Sequence, residues 1–231
     1  MIIKGLQKLT LLDYPGKCAC TVFTFGCNLR CPFCHNASLV QKREGDDGAI
    51  SEDEFFSFLD SRKGLLDGVT ITGGEPLLQP DLKEFIIKIK EKGFLVKLDT
   101  NGTFPKKLKQ LIDANLLDYV AMDVKNGFTK YPLTVGVKDF DVAPVKESIE
   151  ILLDDKVDYE FRTTVSKELF NLSDIEEIGD ALKGAKRYFL QAFKDSGDIL
   201  GGSFSSPGKD LLNSYANALK KSLKNVETRG I

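Results

Sequence analysis

The chain has 231 residues, 42% hydrophobic and 29% charged, with 32 basic against 34 acidic side chains and a formal net charge of −2. That composition excludes a disordered chain, and its near-neutral balance provides no basic field for a phosphate backbone, so no nucleic acid is expected as a partner. No apolar run approaches the roughly 20 residues of a membrane-spanning helix, and the opening MIIKGLQKLTLLDYPGK lacks the apolar core of a secretion signal, so no membrane contact and a cytoplasmic location are expected.

Short β-rich runs alternate with segments of helical period, the pattern of parallel strands joined by crossover helices. Strands are expected over 20–25, 68–72, 94–99, 119–124, 159–164 and 187–191. Between them lie helix signals. Ser51 with Glu54 fits a capping box, Pro80-Asp81 precedes LKEFIIKIKEKG with Gly93 as its stop, Pro105 opens KKLKQLIDA, and Pro144 opens VKESIEILLDD. Ser173 with Glu176 fits a second capping box, and a last helix is expected over 209–224. The segments 41–49 and 197–208 read as flexible loops. No Pro-, Gly- or Ser-rich linker divides the sequence, so one domain over 1–231 is expected, with its core at about 18–193 and an α/β architecture: an incomplete (β/α)6 TIM-like barrel with parallel strands.

All five cysteines fall between positions 18 and 34, which excludes a disulfide framework spread over the fold and points to metal ligation. Cys27, Cys31 and Cys34 form C-x3-C-x2-C directly after the first expected strand. Zinc would need a fourth ligand, and His35, the single histidine, is awkwardly adjacent to Cys34. A 4Fe-4S cluster held by three thiolates would keep one iron open to an external ligand. Cluster, zinc and a purely structural thiol group all stay open at this point. Cys18 and Cys20 face one side of a strand and read as buried small residues.

The C-x3-C-x2-C loop followed by Thr72-Gly73-Gly74-Glu75-Pro76 resembles the radical S-adenosylmethionine superfamily, and CPFCHN with DTNG and DVK is similar to its glycyl-radical-enzyme activating branch. KGLQKLTLLDYPGK with TVFTFGCNLRCPFCHN is similar, within that branch, to activators of anaerobic ribonucleoside-triphosphate reductase. The resemblance implies a 4Fe-4S cluster on Cys27, Cys31 and Cys34, and reductive cleavage of S-adenosylmethionine to a 5′-deoxyadenosyl radical that takes hydrogen from a glycine of a partner enzyme. It implies cofactor contacts at Thr72, Gly73, Gly74, Glu75, Asp99, Asn101, Asp123 and Lys125, with Lys125 on the methionyl carboxylate. Arg162 and Gln191 are further candidates, Gln191 standing where related activators carry a histidine. A monovalent cation at Asp99, Thr100 and Asp123 is a further implication, as are a glycyl radical enzyme and a low-potential flavodoxin or ferredoxin as partners. Five cysteines limit the chain to one cluster. The alternatives are activation of pyruvate formate-lyase or another glycyl radical enzyme, a small-molecule radical reaction, and a zinc-stabilised interaction module.

Overall fold

The computed structural model describes residues 1–41, 48–195, 197 and 199–230. Its elements run β1 (Ile3–Thr10), β2 (Ala19–Thr24), α1 (Ala37–Val40), α2 (Glu52–Asp60), β3 (Gly68–Gly73), α3 (Leu82–Glu91), β4 (Leu95–Thr100), α4 (Pro105–Asp113) and β5 (Tyr119–Asp123). They continue through α5 (Tyr131–Val135), α6 (Ala143–Leu153), β6 (Asp158–Val165), α7 (Leu172–Ala181), β7 (Tyr188–Ala192), α8 (Gly208–Leu219) and β8 (Val226–Arg229). The strands follow one another in sheet order from β1 to β8. β1 is antiparallel to β2, whereas β2–β3, β3–β4, β6–β7 and β7–β8 are parallel. Among the described residues β1 and β8 do not pair with each other, so the sheet is not closed.

By internal contacts the chain forms two compact units: Met1–Asn28, Ser38–Thr100 and Lys106–Val120 in the first, Leu29–Ala37, Asn101–Pro105 and Ala121–Ile231 in the second. In the first, the apolar faces of α2 and α3 meet through Phe55 and Phe85, both buried, with ring centroids 5.1 Å apart. Val22, Val69, Ile71, Val96 and Leu98 of β2, β3 and β4 are fully buried, each contributing about 1.5–3 kcal/mol by leaving water. In the second, α6 buries Val145 and Ile149, α7 buries Ile175 and Ile178, and α8 buries Leu212 and Leu219.

The six strands read from the sequence are all present. Two more, β1 and β8, were not expected. β1 leaves Gln7, Lys8 and Leu9 exposed and β8 has four residues, so neither carries the continuous apolar run that marks a strand buried on both faces. β8 also displaces the end of the last expected helix. That helix stops at Leu219, and the chain turns back so that Asn225 O accepts the Tyr188 N–H at 3.1 Å. The α7 cap is Asn171 rather than Ser173, in a capping box shared with Asp174. Of the two loops expected to be flexible, 42–47 and 198 lie outside the described residues.

Candidate active site

β2 runs out through Phe25 and Gly26 into Cys27, and β3 lies beside it with Thr72 opposite Phe23 and Gly73 opposite Thr24. Past that register the Gly73-Gly74-Glu75 backbone lies on the end of β2. Gly74 N–H donates to Thr24 O at 3.0 Å and Glu75 N–H to Gly26 O at 2.8 Å. A Cβ at Gly73, whose φ is +116°, would fall 2.4 Å from Thr24 N, and one at Gly74 would fall 2.0 Å from Gly26 O. Only glycine permits this approach, so the TGGEP segment is locked to the strand that delivers Cys27.

Glu75, 1% exposed, accepts from Leu77 N–H at 3.0 Å and from the Thr100 hydroxyl at 2.9 Å. It thereby ties the segment to the end of β4. Asp99, the preceding residue, accepts a short hydrogen bond from the ammonium of Lys97, a buried lysine that the sequence reading passed over. The signal was present: two charged residues at i and i+2 on an apolar strand share one face.

In the second unit, Cys31 and Cys34 bracket a turn closed by Cys34 N–H donating to Cys31 O at 3.0 Å. Arg30 N–H on Val135 O at 2.8 Å and Gly201 N–H on Pro32 O at 3.1 Å hold this loop, and Phe33 packs edge-on to Phe204, centroids 6.1 Å apart. Asp123, at the end of β5, receives Lys125 Nζ at 3.0 Å on one oxygen and Arg162 Nε at 2.9 Å on the other. Burial opposes the charge of both Asp123 and Lys125. The Arg162 and Lys125 cations nevertheless hold the Asp123 carboxyl well below the carboxylate range. Asp123, with the neighbouring Cys31 and Cys34 thiols, holds Lys125 well above the ordinary lysine value. The structure therefore brings Cys31, Cys34, Asp123, Lys125 and Arg162 together. It adds Tyr131, whose buried hydroxyl accepts the Lys125 N–H at 3.2 Å and whose pKa burial raises. Nothing in the sequence marked Tyr131.

Asn101 folds onto its own turn, accepting from the Thr103 hydroxyl at 2.6 Å and N–H at 3.0 Å. Gln191 lies in β7 in register with Thr164 and Arg229. His35 lies against Phe193, ring centroids 5.1 Å apart, and burial together with the Lys125 charge lowers its pKa. Cys20 is fully buried and its thiol is pushed up to about 12 by burial, as befits an inert core residue. Cys18 precedes β2 and is half-buried, so only one of the two is a core residue.

Three thiols within one eight-residue loop fit the donor chemistry of an iron-sulfur cluster. Among the described residues no three His, Cys, Asp or Glu side chains are already gathered as a ligand set, so the fit is one of donor type and spacing. The residues do not fit a monovalent metal cation at Asp99 and Asp123, because each carboxylate already carries a protein cation within its own unit.

The radical SAM superfamily profile matches residues 21–182. A protein of Methanocaldococcus jannaschii named as a glycyl-radical enzyme activating enzyme is 35% identical over 100% of this chain and 96% of its own length. The pyruvate formate-lyase-activating enzyme of Clostridium pasteurianum is 33% identical over 54% of this chain and 52% of its own. Among solved structures, SuiB of Streptococcus suis bound to precursor peptide SuiA superposes with a TM-score of 0.69 at 16% identity, over 91% of this chain and 48% of that one, a likeness of fold. With a profile that spans the strands carrying these residues and a relative matched from end to end, the chain belongs to the radical SAM superfamily of enzymes, in the branch of the glycyl-radical enzyme activating enzymes.

Proposed function

We propose that this enzyme activates a glycyl radical enzyme, with anaerobic ribonucleoside-triphosphate reductase as its partner. The observation that carries the activase reading is the full-length match to the Methanocaldococcus jannaschii relative, supported by the glycine cradle seated on the strand that delivers Cys27; the reductase as partner rests on the resemblance of KGLQKLTLLDYPGK with TVFTFGCNLRCPFCHN. Cys27, Cys31 and Cys34 would hold a 4Fe-4S cluster, whose chemistry when bound is one-electron reductive cleavage of S-adenosylmethionine, with methionine released and hydrogen taken from a glycine Cα. The protein supplies position and charge. Thr72, Gly73 and Gly74 offer backbone that a small zwitterion can approach closely, Glu75 fixes that backbone through Thr100, and Lys125 offers an ammonium to the methionyl carboxylate. Asp123, itself fixed by Arg162, holds that ammonium in place. The electron comes from a low-potential flavodoxin or ferredoxin, and clustered thiols imply the reducing cytoplasm.

Anaerobically reconstituted protein, reduced in the presence of S-adenosylmethionine and the reductase, is expected to give a glycine-centred doublet in electron paramagnetic resonance. Replacing the radical-bearing glycine of the partner by alanine should abolish that signal and leave complex formation intact. A doublet on pyruvate formate-lyase alone would favour the second reading, which the Clostridium pasteurianum match supports. Cofactor cleavage with no radical on any glycyl radical enzyme would overturn the activase reading in favour of a small-molecule substrate.

A further inference from the structure

Lys97 is 1% exposed, among the largest fully buried side chains of the protein. An ammonium taken out of water is tolerated only when a partner compensates it. Two oxygens compete for that role. Thr70 lies directly opposite Lys97 in the β3–β4 register, yet its buried hydroxyl has no hydrogen-bond partner. The ammonium turns instead along its own strand to Asp99, with the face of Tyr119 6.0 Å away as a second source of stabilisation. The lysine thus serves the carboxylate at the strand end and leaves the core hydroxyl orphaned.

We infer that the Lys97 ammonium is the built-in counter-cation of Asp99, so that this enzyme binds S-adenosylmethionine without a monovalent metal cation. The ligand in this statement rests on the proposed function; the role of Lys97 rests on the geometry of β4. A metal ion entering beside Asp99 would meet a fixed positive charge in direct contact with the same carboxylate, and like charges at that distance repel. Lys97 is tethered covalently and costs no binding step. Asp123 repeats the arrangement in its own unit, with Lys125 and Arg162 on its two oxygens.

The test is calorimetric titration of cluster-loaded protein with S-adenosylmethionine in potassium chloride and in tetramethylammonium chloride at equal ionic strength. The wild type is expected to bind equally in both. Lys97→Met, neutral and of similar length, should lose about tenfold or more in tetramethylammonium, as for a missing charge-assisted partner, and recover in potassium, while Lys97→Arg follows the wild type. Thermal unfolding of the cluster-free proteins gives a second readout: potassium should raise the midpoint of Lys97→Met and leave the wild type unmoved. If Lys97→Met does not fold, the wild-type and Lys97→Arg titrations decide. A wild type that loses about tenfold on withdrawal of potassium, or a folded Lys97→Met indifferent to the salt, overturns the inference. Failure to bind in every salt counts against the proposed function instead, and the unfolding midpoints still decide the role of Lys97.

Discussion

Lys125 is kept charged by groups of its own unit, and its removal therefore separates binding from cluster assembly. Asp123 retains Arg162 when Lys125 is lost, so no buried carboxylate is left uncompensated and the fold should survive. Lys125→Ala is expected to weaken S-adenosylmethionine binding about ten- to hundredfold, the worth of a charge-assisted hydrogen bond of about 1.5–3 kcal/mol, with iron content unchanged. Cys31→Ser should instead lose the iron, and Cys20→Ser should keep it. Calorimetry and iron analysis on the three variants check this; undiminished affinity in Lys125→Ala would remove it from the site. The cysteine loop was legible in the sequence because its three thiols lie within one turn of chain, and Lys125 because it follows an apolar run. Tyr131 was not legible, since its hydroxyl meets the Lys125 backbone only after the Gly127 turn and α5 have formed.

At the scale of the element, α7 shows how a local rule can find a helix and misplace its start. Ser173 and Glu176 fit the capping pattern, but the Asn171 side chain accepts the Asp174 N–H at 3.1 Å while Asp174 accepts the Asn171 N–H at 2.7 Å. Asp174 also receives Lys130 at 2.7 Å, a tertiary contact that favours the earlier register and that the sequence does not reveal. Asn171→Ala should therefore cost about 1 kcal/mol, lowering the thermal midpoint by about 2–4 °C for a chain of this size. Ser173→Ala should cost less. Equal losses, measured by circular dichroism on heating, would return the cap to Ser173. β8 carries the same lesson. Val226 pairs with Tyr188, and Arg229 reaches the buried Glu160 at 3.2 Å while its guanidinium lies 3.4 Å from the Phe189 ring centroid. Those partners come from β6 and β7, distant in sequence, so four residues without a pattern of their own become a strand.

For the molecule as a whole, the buried ion pairs set its response to acid. Asp123 titrates well below its ordinary value in the folded protein, and hydrogen bonds from Ser205 lower that of the exposed Glu168. The unfolded chain takes up protons first, near pH 4, so the stabilisation is complete above that value and is lost as the pH falls below it. The thermal midpoint should begin to fall below about pH 6.5, where the unfolded chain protonates His35, and drop more steeply below about pH 4, and Asp123→Asn should lower it at neutral pH while flattening the acid limb. A midpoint that rises on acidification would contradict the sign. The central strands of the sheet were legible because burial on both faces demands apolar runs; its margins were not, because a margin is free to be polar. That freedom has a use. A bare strand edge is a template on which foreign chains grow into fibres. On β1, Lys4 is held 5.5 Å from the Phe25 ring centroid and Lys8 5.9 Å from that of Phe58, while Ile50 bridges to Ile3. A strand that sought to extend the sheet there would have to dehydrate two anchored ammonium groups, and the margin thereby resists aggregation.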